Sequence, residues 1–364
     1  MNITVNTKEL LNGLNKLSKV ISGKVSVPIL TGVKITAKGD TLELIGSNID
    51  FTGVITIHGV TVLEEGSHVL SFKDFHTFIK KSKSNDITIA KDGEKLTIAD
   101  GKINLKAKGY NSSEYPRMPK IKSNNITLTN DEFKNAIKNT SYAVSTSESR
   151  PVLQCINIKV SDNIIKFVAT DSHRLGEYKL NYESNIEFIE VNPIGSYLEK
   201  ASQMIEKDNK HVTLKLNEQY TVLEFDNVEL YIRNSESNYP DTSRLIPDNF
   251  NTELELNIKE LLETLPQLGI YANTDRNSTM TLNYGDNVMV SAQNTENDEI
   301  NANITNLYSY GEFLKLSFSL KYLEQSLKTM SNDNVKFKFS GSNRPFIMEA
   351  DNNAKHLILP VRTY

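Results

Sequence analysis

The segment FVATDSHRLGEY (167–178) places an aspartate, a serine, a histidine and an arginine side by side, from Asp171 to Arg174. A hydrolase could use such side chains, but it brings its nucleophile and base together from distant parts of the chain, and neighbours on a short loop cannot easily point at one another. The sequence has no G-x-S-x-G elbow, and its other histidines lack metal-site spacing. We expect a recognition surface; the alternative is that Asp171 caps the turn while His173 and Arg174 are merely solvated.

The composition is that of a soluble globular protein. The 364 residues exceed a single hydrophobic core and predict two or three domains. The lone cysteine, Cys155, cannot form an internal disulfide and predicts a reducing compartment, with a buried structural thiol as its role. The start MNITVNTKEL lacks the features of a signal peptide, and no apolar run approaches the roughly 18 residues of a membrane span. We therefore expect a cytoplasmic protein with no membrane partner.

The elements that must position the loop recur three times along the chain. ITVNTKELLNGLNKLSKVIS, ITLTNDEFKNAIKNTSYAVS and LELNIKELLETLPQLGIYAN each join a short alternating strand to an amphipathic helix with an early glutamate (Glu9, Glu132 and Glu260). A second strand–helix–strand segment follows in each unit, so we predict helices within 7–24, 73–83, 130–145, 193–207, 257–268 and 319–330.

The boundaries between the repeats follow from a second recurring phrase. SSEYPRMP and ESNYPDTSRLIP each contain two prolines and suit a domain exit. The predicted domains are therefore 1–122, 123–248 and 249–364. Each has two helices on an antiparallel sheet layer, which is an α+β plan.

Positive charge is concentrated in the predicted helical windows. They hold fifteen lysines and nine acidic residues, about +6, whereas the whole chain has a net charge of −4. A helical face of this kind would attract phosphates while the rest of the protein repels them. The alternative is that lysine simply suits solvated helix surfaces.

Three motifs carry a family resemblance: ATDSHRL, YPDTSRLIP and LILPVRTY, which occur in this order across the whole chain. Together they resemble the bacterial sliding clamps, the β subunits of DNA polymerase III, and RPF (344–346) with LPVRTY resembles the low-GC Gram-positive branch. The resemblance implies a DNA clamp fold and a ring-shaped homodimer, with helices inside and sheets outside, that encircles double-stranded DNA and acts as a processivity factor. It implies as further partners the replicative DNA polymerase, the clamp loader and other replication and repair proteins, with no enzymatic activity, cofactor or metal.

The resemblance also implies three sets of site residues. A pocket for a peptide with a glutamine and aliphatic or aromatic anchors would use Leu153, Thr170, Ser172, His173, Arg174, Leu175, Pro240, Arg244, Leu245, Ser319, Tyr322, Pro345, Phe346, Leu359, Pro360, Val361 and Arg362. For contacts with DNA the resemblance implies Lys24 and Arg150, and the positive charge of the predicted helices adds Lys73, Lys80, Lys81, Lys138 and Lys200. The subunit contact would pair Leu105 and Ala107 with Ile270 and Tyr271. Ser319 stands where many family members have asparagine, so the chain departs from the family pattern at one polar contact to the peptide.

Two other function classes stay open at this point. A divergent phage or plasmid copy could keep the clamp fold as a scaffold without being loaded on DNA. An enzyme acting on nucleic acid would need a carboxylate cluster able to hold Mg²⁺.

Overall fold

The strand-to-helix opening predicted for each repeat is present three times. The structure is a computed structural model that describes residues 1–21, 27–93, 95–183, 185–272 and 278–361. In it, β1 (Asn2–Asn6) leads into α1 (Thr7–Leu17), β10 (Asn124–Thr129) into α3 (Asn130–Ser141), and β18 (Thr252–Asn257) into α5 (Ile258–Ala272).

A polar side chain starts each of these helices. The Asn6 side chain accepts hydrogen bonds from the backbone N–H groups of Lys8 and Glu9, at 3.0 and 3.3 Å. Glu132 Oε2 accepts from the Thr129 backbone N–H at 2.8 Å, while Thr129 Oγ1 accepts from the Glu132 N–H at 3.3 Å. The Asn257 side chain accepts from the Glu260 N–H at 3.0 Å. These bonds satisfy N–H groups that have no partner in the first helical turn, so a recurring Asn or Thr followed by glutamate is a helix-start signal.

The second helix of each repeat is shorter than its predicted window. These helices are α2 (Phe72–Lys81), α4 (Gly195–Ser202) and α6 (Leu320–Leu327). Because the helices end earlier, Lys19, Lys83, Lys207 and Lys328 lie outside them, and Lys24 lies outside the described residues. The six helices of the described chain therefore carry ten lysines against eight acidic residues. The expected surplus of about +6 on the helices is therefore wrong; only α1 and α2, with five lysines and two acidic residues, keep a clear excess.

The first of two compact units comprises Met1–Phe133 and Tyr197–Asn234. It contains a five-stranded antiparallel sheet in the order β5-β1-β7-β8-β9 and an eight-stranded one in the order β10-β15-β16-β17-β4-β3-β2-β6. Its further strands are β2 (Gly32–Lys38), β3 (Thr41–Ser47), β4 (Phe51–His58), β5 (Thr61–Glu64), β6 (Gly66–Ser71), β7 (Asp86–Asp92), β8 (Lys95–Ala99), β9 (Asn104–Lys108), β15 (His211–Leu216), β16 (Tyr220–Phe225) and β17 (Val228–Arg233).

The second compact unit comprises Lys134–Ser196 and Ser235–Tyr364. Its nine-stranded sheet has the order β14-β11-β12-β13-β26-β25-β24-β18-β22, and its four-stranded sheet the order β21-β20-β19-β23. The strands are β11 (Asn157–Ser161), β12 (Ile164–Thr170), β13 (Arg174–Asn181), β14 (Phe188–Val191), β19 (Thr279–Tyr284), β20 (Val288–Gln293), β21 (Glu299–Ile304), β22 (Asn306–Gly311), β23 (Leu314–Ser319), β24 (Asn334–Phe339), β25 (Phe346–Glu349) and β26 (Ala354–Ile358).

The structure has two compact units although the sequence has three repeats, because each of the two large sheets combines strands from two predicted domains. β17 pairs with β4, which joins strands of the first and second predicted domains, and β13 pairs with β26, which joins strands of the second and third. Helices packed on antiparallel sheets confirm the α+β prediction. The boundaries after residues 122 and 248 fall in segments between strands and remain predictions. No helix in the described part of the chain is long and apolar enough to cross a membrane.

Candidate functional site

Asp171 to Arg174 form a tight turn between β12 and β13. Asp171 Oδ1 accepts hydrogen bonds from the backbone N–H groups of His173 and Arg174, at 2.9 and 3.1 Å. Thr170 Oγ1 accepts from the Ser172 N–H at 3.2 Å and donates to the Arg174 carbonyl at 2.7 Å. Ser172 has a φ of 78°, which is uncommon for a residue other than glycine. The carboxylate is thus engaged in building the turn, as the capping alternative predicted for Asp171.

Arg174 lies behind this turn instead of at its rim. The residue is only 8% exposed, and its Nε donates to Asp171 Oδ2 at 2.9 Å. Its guanidinium also donates to Gln325 Oε1 and lies 4.5 Å from the Tyr322 ring centroid and 5.3 Å from that of Tyr142. A buried guanidinium needs such partners because desolvation is costly. The alternative of a merely solvated Arg174 is therefore wrong.

A cleft of about 410 Å³ opens beside the turn, which we name the docking cleft. It is lined by His173, Ser278, Ser319, Lys321, Tyr322, Leu359, Pro360 and Val361. The exposed His173 ring is stacked on Tyr322, with 6.3 Å between ring centroids. The chain after β26 is held beside the cleft because Leu359 N–H donates to the His173 carbonyl at 2.9 Å and Val361 N–H to the Ser317 carbonyl at 2.7 Å.

A small apolar cluster lies under the same turn. Val168, Leu175 and Leu357 are buried in it, and Tyr239, Ile246 and Leu359 pack against them. The Tyr239 hydroxyl accepts from the Thr170 N–H at 3.1 Å, and burial raises the pKa of Tyr239 above its usual range. Arg244 and Leu245 are exposed on the segment that follows, beside Pro240. The site therefore combines a polar cleft with an apolar patch.

Some predicted peptide-binding residues are not surface groups. Phe346 is fully buried in a cluster of aromatic rings, 4.8 Å from Phe318 and 5.3 Å from Phe339 between centroids. Leu153 and Thr170 are also buried, at 4% and 5% exposure. Pro345 is half-buried, and Arg362 lies outside the described residues. Phe346, Leu153, Thr170 and Pro345 can shape the site but are not open faces of the docking cleft.

The predicted DNA-contacting residues differ in exposure. Lys80, Lys81, Lys138 and Arg150 are exposed, and Lys73 lines a surface groove. Lys200 is half-buried, with Nζ 5.6 Å from the Tyr197 ring centroid. Lys138 Nζ is within 3.3 Å of Ser331 Oγ, and Lys24 lies outside the described residues.

Two of these lysines border an apolar groove that the sequence did not predict. The groove, of about 470 Å³, is lined by Lys73, Asp74, Thr77, Phe78, Lys81, Ser82, Asp100, Ile103 and Leu105. Leu105 is thus placed as a contact surface would require, while its neighbour Ala107 is not part of the lining. The sequence signal that could have indicated this groove is an isoleucine in a polar turn, Ile103, whose side chain is 62% exposed in the structure.

The other half of the predicted subunit contact lies at the end of α5. Ile270 is 66% exposed, whereas Tyr271 is half-buried against the core of the second unit. Ile270 is therefore the residue of this pair that is free to meet another molecule.

Burial shifts the pKa values of two titratable groups, Cys155 and His356. Cys155 is buried as predicted, and desolvation raises the pKa of its thiol to about 11. His356, fully buried, has its pKa lowered to about 3 by desolvation, and its Nδ1 is 2.9 Å from the Tyr142 hydroxyl. Within the described ranges, no group of three or more His, Cys, Asp or Glu side chains could hold a metal ion.

The chain repeats a unit of two helices on antiparallel sheets, and a cleft lies beside its Asp-Ser-His-Arg turn. These are the features of a clamp-fold protein. Models of the DNA polymerase III beta subunit match the N-terminal domain at residues 1–119, the central domain at 127–241 and the C-terminal domain at 243–362. The chain is 32% identical to the Beta sliding clamp of Bacillus subtilis over 379 residues and to that of Staphylococcus aureus over 380, with all of each chain covered.

Solved structures agree with these sequence matches. The DNA polymerase sliding clamp from Bacillus subtilis superposes with a TM-score of 0.96 at 31% identity, and the DNA polymerase III beta chain from Streptococcus pneumoniae with 0.94 at 30%, each covering the full length of both chains. The chain belongs to the DNA polymerase III β subunit family, the bacterial sliding clamps. The family resemblance and the three clamp domains predicted from the sequence are confirmed.

Proposed function

We propose that this chain is a DNA polymerase processivity factor that closes into a ring of two copies around double-stranded DNA. Its membership of the sliding-clamp family over the full length is the observation that carries the proposal. The family holds its partners on DNA without carrying out a chemical step. The alternatives of a scaffold that is never loaded and of a nucleic-acid enzyme have no specific observation in their favour.

Ring closure is supported by two complementary surfaces. The groove at Phe78, Ile103 and Leu105 lies beside β9, which forms one edge of its sheet. The exposed Ile270 lies near the end of α5, which packs on β21, an edge strand of another sheet. Pairing β9 of one copy with β21 of the other would cover both edges, and a head-to-tail contact that closes after two copies gives a ring instead of a filament.

Charge also fits this contact. Lys73 and Lys81 border the groove, and the exposed Glu299 begins β21. We therefore assign these two lysines to the subunit contact in preference to DNA. Lys80, Lys138, Arg150 and Lys200 remain proposed phosphate contacts, which hold DNA without reading its sequence.

Partner proteins would bind at the docking cleft and its neighbouring apolar patch. Aliphatic or aromatic anchors of a short peptide would cover the exposed Leu245 and the half-buried Leu359, while a glutamine would meet the polar groups near Ser319 and His173. Buried apolar anchors generally supply most of the binding energy at such sites. The replicative polymerase, the clamp loader and other replication and repair proteins are the proposed partners, and the proposed location is the cytoplasm.

Loading on DNA tests the ring. The protein is loaded by a clamp loader onto nicked circular DNA, transferred to high salt, and the DNA is then cut at one site. A closed ring stays on the circle and leaves only after linearisation, whereas binding through phosphate contacts alone falls steeply with salt on both forms. Equal loss from circular and linear DNA would refute the ring, and failure to load in the presence of a working loader would favour the scaffold.

A further inference from the structure

The turn at the docking cleft has a second copy in the first repeat. There, Ile49 N–H donates to Ser47 Oγ at 3.2 Å and Phe51 N–H to Asn48 Oδ1 at 2.9 Å. The equivalent bonds at Ser172 and Arg174 measure 3.2 and 3.1 Å. Both turns also have a residue other than glycine with a positive φ, 86° at Ile49 and 78° at Ser172. The turn by itself is therefore a property of the repeat.

The two copies differ at the residue that begins the next strand. In the first repeat this residue is Phe51, fully buried and stacked on Tyr197, with 4.9 Å between ring centroids and 16° between ring planes. At the docking cleft it is Arg174, which faces Tyr322. The residue three positions after each tyrosine also differs. Lys200 Nζ lies over the Tyr197 ring, whereas Gln325, three positions after Tyr322, accepts a hydrogen bond from Arg174.

Arg174 is not among the residues that line the docking cleft, but its neighbours Tyr322 and His173 are. The guanidinium lies near two rings, with the Tyr322 centroid at 4.5 Å and that of Tyr142 at 5.3 Å. A desolvated cation over an aromatic ring is attracted to that ring. Arg174 is thus placed to hold the Tyr322 ring from behind.

Besides Asp171, whose Oδ2 accepts from Arg174 Nε at 2.9 Å, two further residues outside the cleft lining hold Arg174 in place. Gln325 Oε1 accepts from the guanidinium. The Tyr142 hydroxyl donates to the Leu175 carbonyl at 3.2 Å and lies 2.9 Å from His356 Nδ1, so the hydroxyl end of this ring is held. Gly176 allows the close approach, because a Cβ there would lie 3.0 Å from the Tyr142 ring and 2.4 Å from the Asn139 carbonyl oxygen.

We propose that Gln325 and Tyr142 are positioning residues for peptide docking, which act through Arg174 to hold Tyr322 as a wall of the docking cleft. The inference rests on the proposed docking function. It assigns Arg174 the role of a brace between these residues, and it makes the arginine and glutamine pair the feature that separates this turn from its copy at Phe51 and Lys200.

Fluorescence anisotropy with a labelled peptide that carries a glutamine and apolar anchors tests this role. Gln325→Leu keeps the size of the side chain but removes the acceptor for a charged donor, so we expect affinity to fall about tenfold. Gln325→Glu restores an acceptor for Arg174 and should bind within about twofold of the wild type. Tyr142→Phe keeps the ring but loses its anchoring hydroxyl, and should weaken binding less than Gln325→Leu.

A double-mutant cycle and a matched control make the result specific. In an Arg174→Leu background, Gln325→Leu should cause no further loss if it acts only through the arginine. Gln219→Leu, at an exposed glutamine of the first unit, should leave peptide affinity unchanged. Thermal melting of each variant shows whether it is folded. The rescue by Gln325→Glu separates positioning from packing, since a packing role would make a half-buried carboxylate at least as damaging as leucine.

The outcomes distinguish the positioning role of Gln325 and Tyr142 from the proposed peptide-docking function on which it rests. If the wild type binds the peptide and Gln325→Leu binds equally well, the positioning role is wrong and the docking cleft stands. The positioning role is also wrong if Gln325→Glu fails to restore binding while remaining folded. If the wild type binds no peptide, the docking function itself fails and this inference with it.

Discussion

Acidification should destabilise the second unit through His356. This side chain is completely buried against Tyr142, and desolvation lowers its pKa from 6.5 to about 3. In the unfolded chain the imidazole takes up a proton near its ordinary pKa, while the folded protein keeps it neutral. Between pH 6.5 and about 3 the unfolded state therefore binds more protons, and the free energy of unfolding falls as the pH falls.

The size of the effect follows from the pKa difference. One pKa unit corresponds to about 1.4 kcal/mol, so lowering the pH from roughly 6.5 to 5 should remove about 2 kcal/mol through this single group. Few ordinary carboxylates are protonated in that range, because their usual pKa values lie near about 4. Well above the ordinary histidine pKa the group is neutral in both states and costs the folded protein nothing through protonation.

Urea unfolding followed by circular dichroism at about pH 7, 6 and 5 measures the slope. His356→Asn retains a polar group near Tyr142 but cannot take up a proton at these pH values, so its stability should fall less steeply than that of the wild type. The comparison uses the difference between two slopes, which cancels His68, whose pKa is also lowered by burial but which belongs to the other unit. Parallel pH profiles for the two proteins would refute the reasoning.

Three further perturbations address the proposed surfaces. Ile270→Ala removes apolar area worth about 2 kcal/mol at each of two ring contacts, so sedimentation should show a shift from dimer to monomer; an unchanged dimer would mean the contact lies elsewhere. Lys80→Glu alters an exposed lysine, and it should lower the salt dependence of DNA binding by about one ion without changing the melting temperature; an unaltered salt slope would exclude Lys80 as a phosphate contact. Deleting residues 360–364 removes two lining residues of the docking cleft and should abolish peptide binding and polymerase stimulation while ring loading persists; equal peptide affinity would place docking elsewhere.

Local sequence patterns were sufficient for much of the fold. The alternation of β1 followed by the helical spacing of Leu10, Leu14 and Leu17 predicts a strand and a helix because each period is set by neighbouring residues. Asn6 and Thr129 cap their helices through residues two or three positions away. The three repeats, the α+β class and the family could therefore be recognised from the sequence.

The side-chain environment of the turn depended on the tertiary structure. The sequence indicated that Asp171 could cap the turn, because its partners are two and three residues away. It could not show that Arg174 turns inwards, because its partners Tyr142 and Gln325 lie 32 and 151 positions away and meet it only when the strands and helices pack. The sequence alone also did not predict the groove at Ile103 or the residue at which each helix ends, because both depend on how distant segments pack. Burial and charge pairing are set by contacts between distant segments, and these decide whether a residue of given type becomes a binding surface or a support behind one.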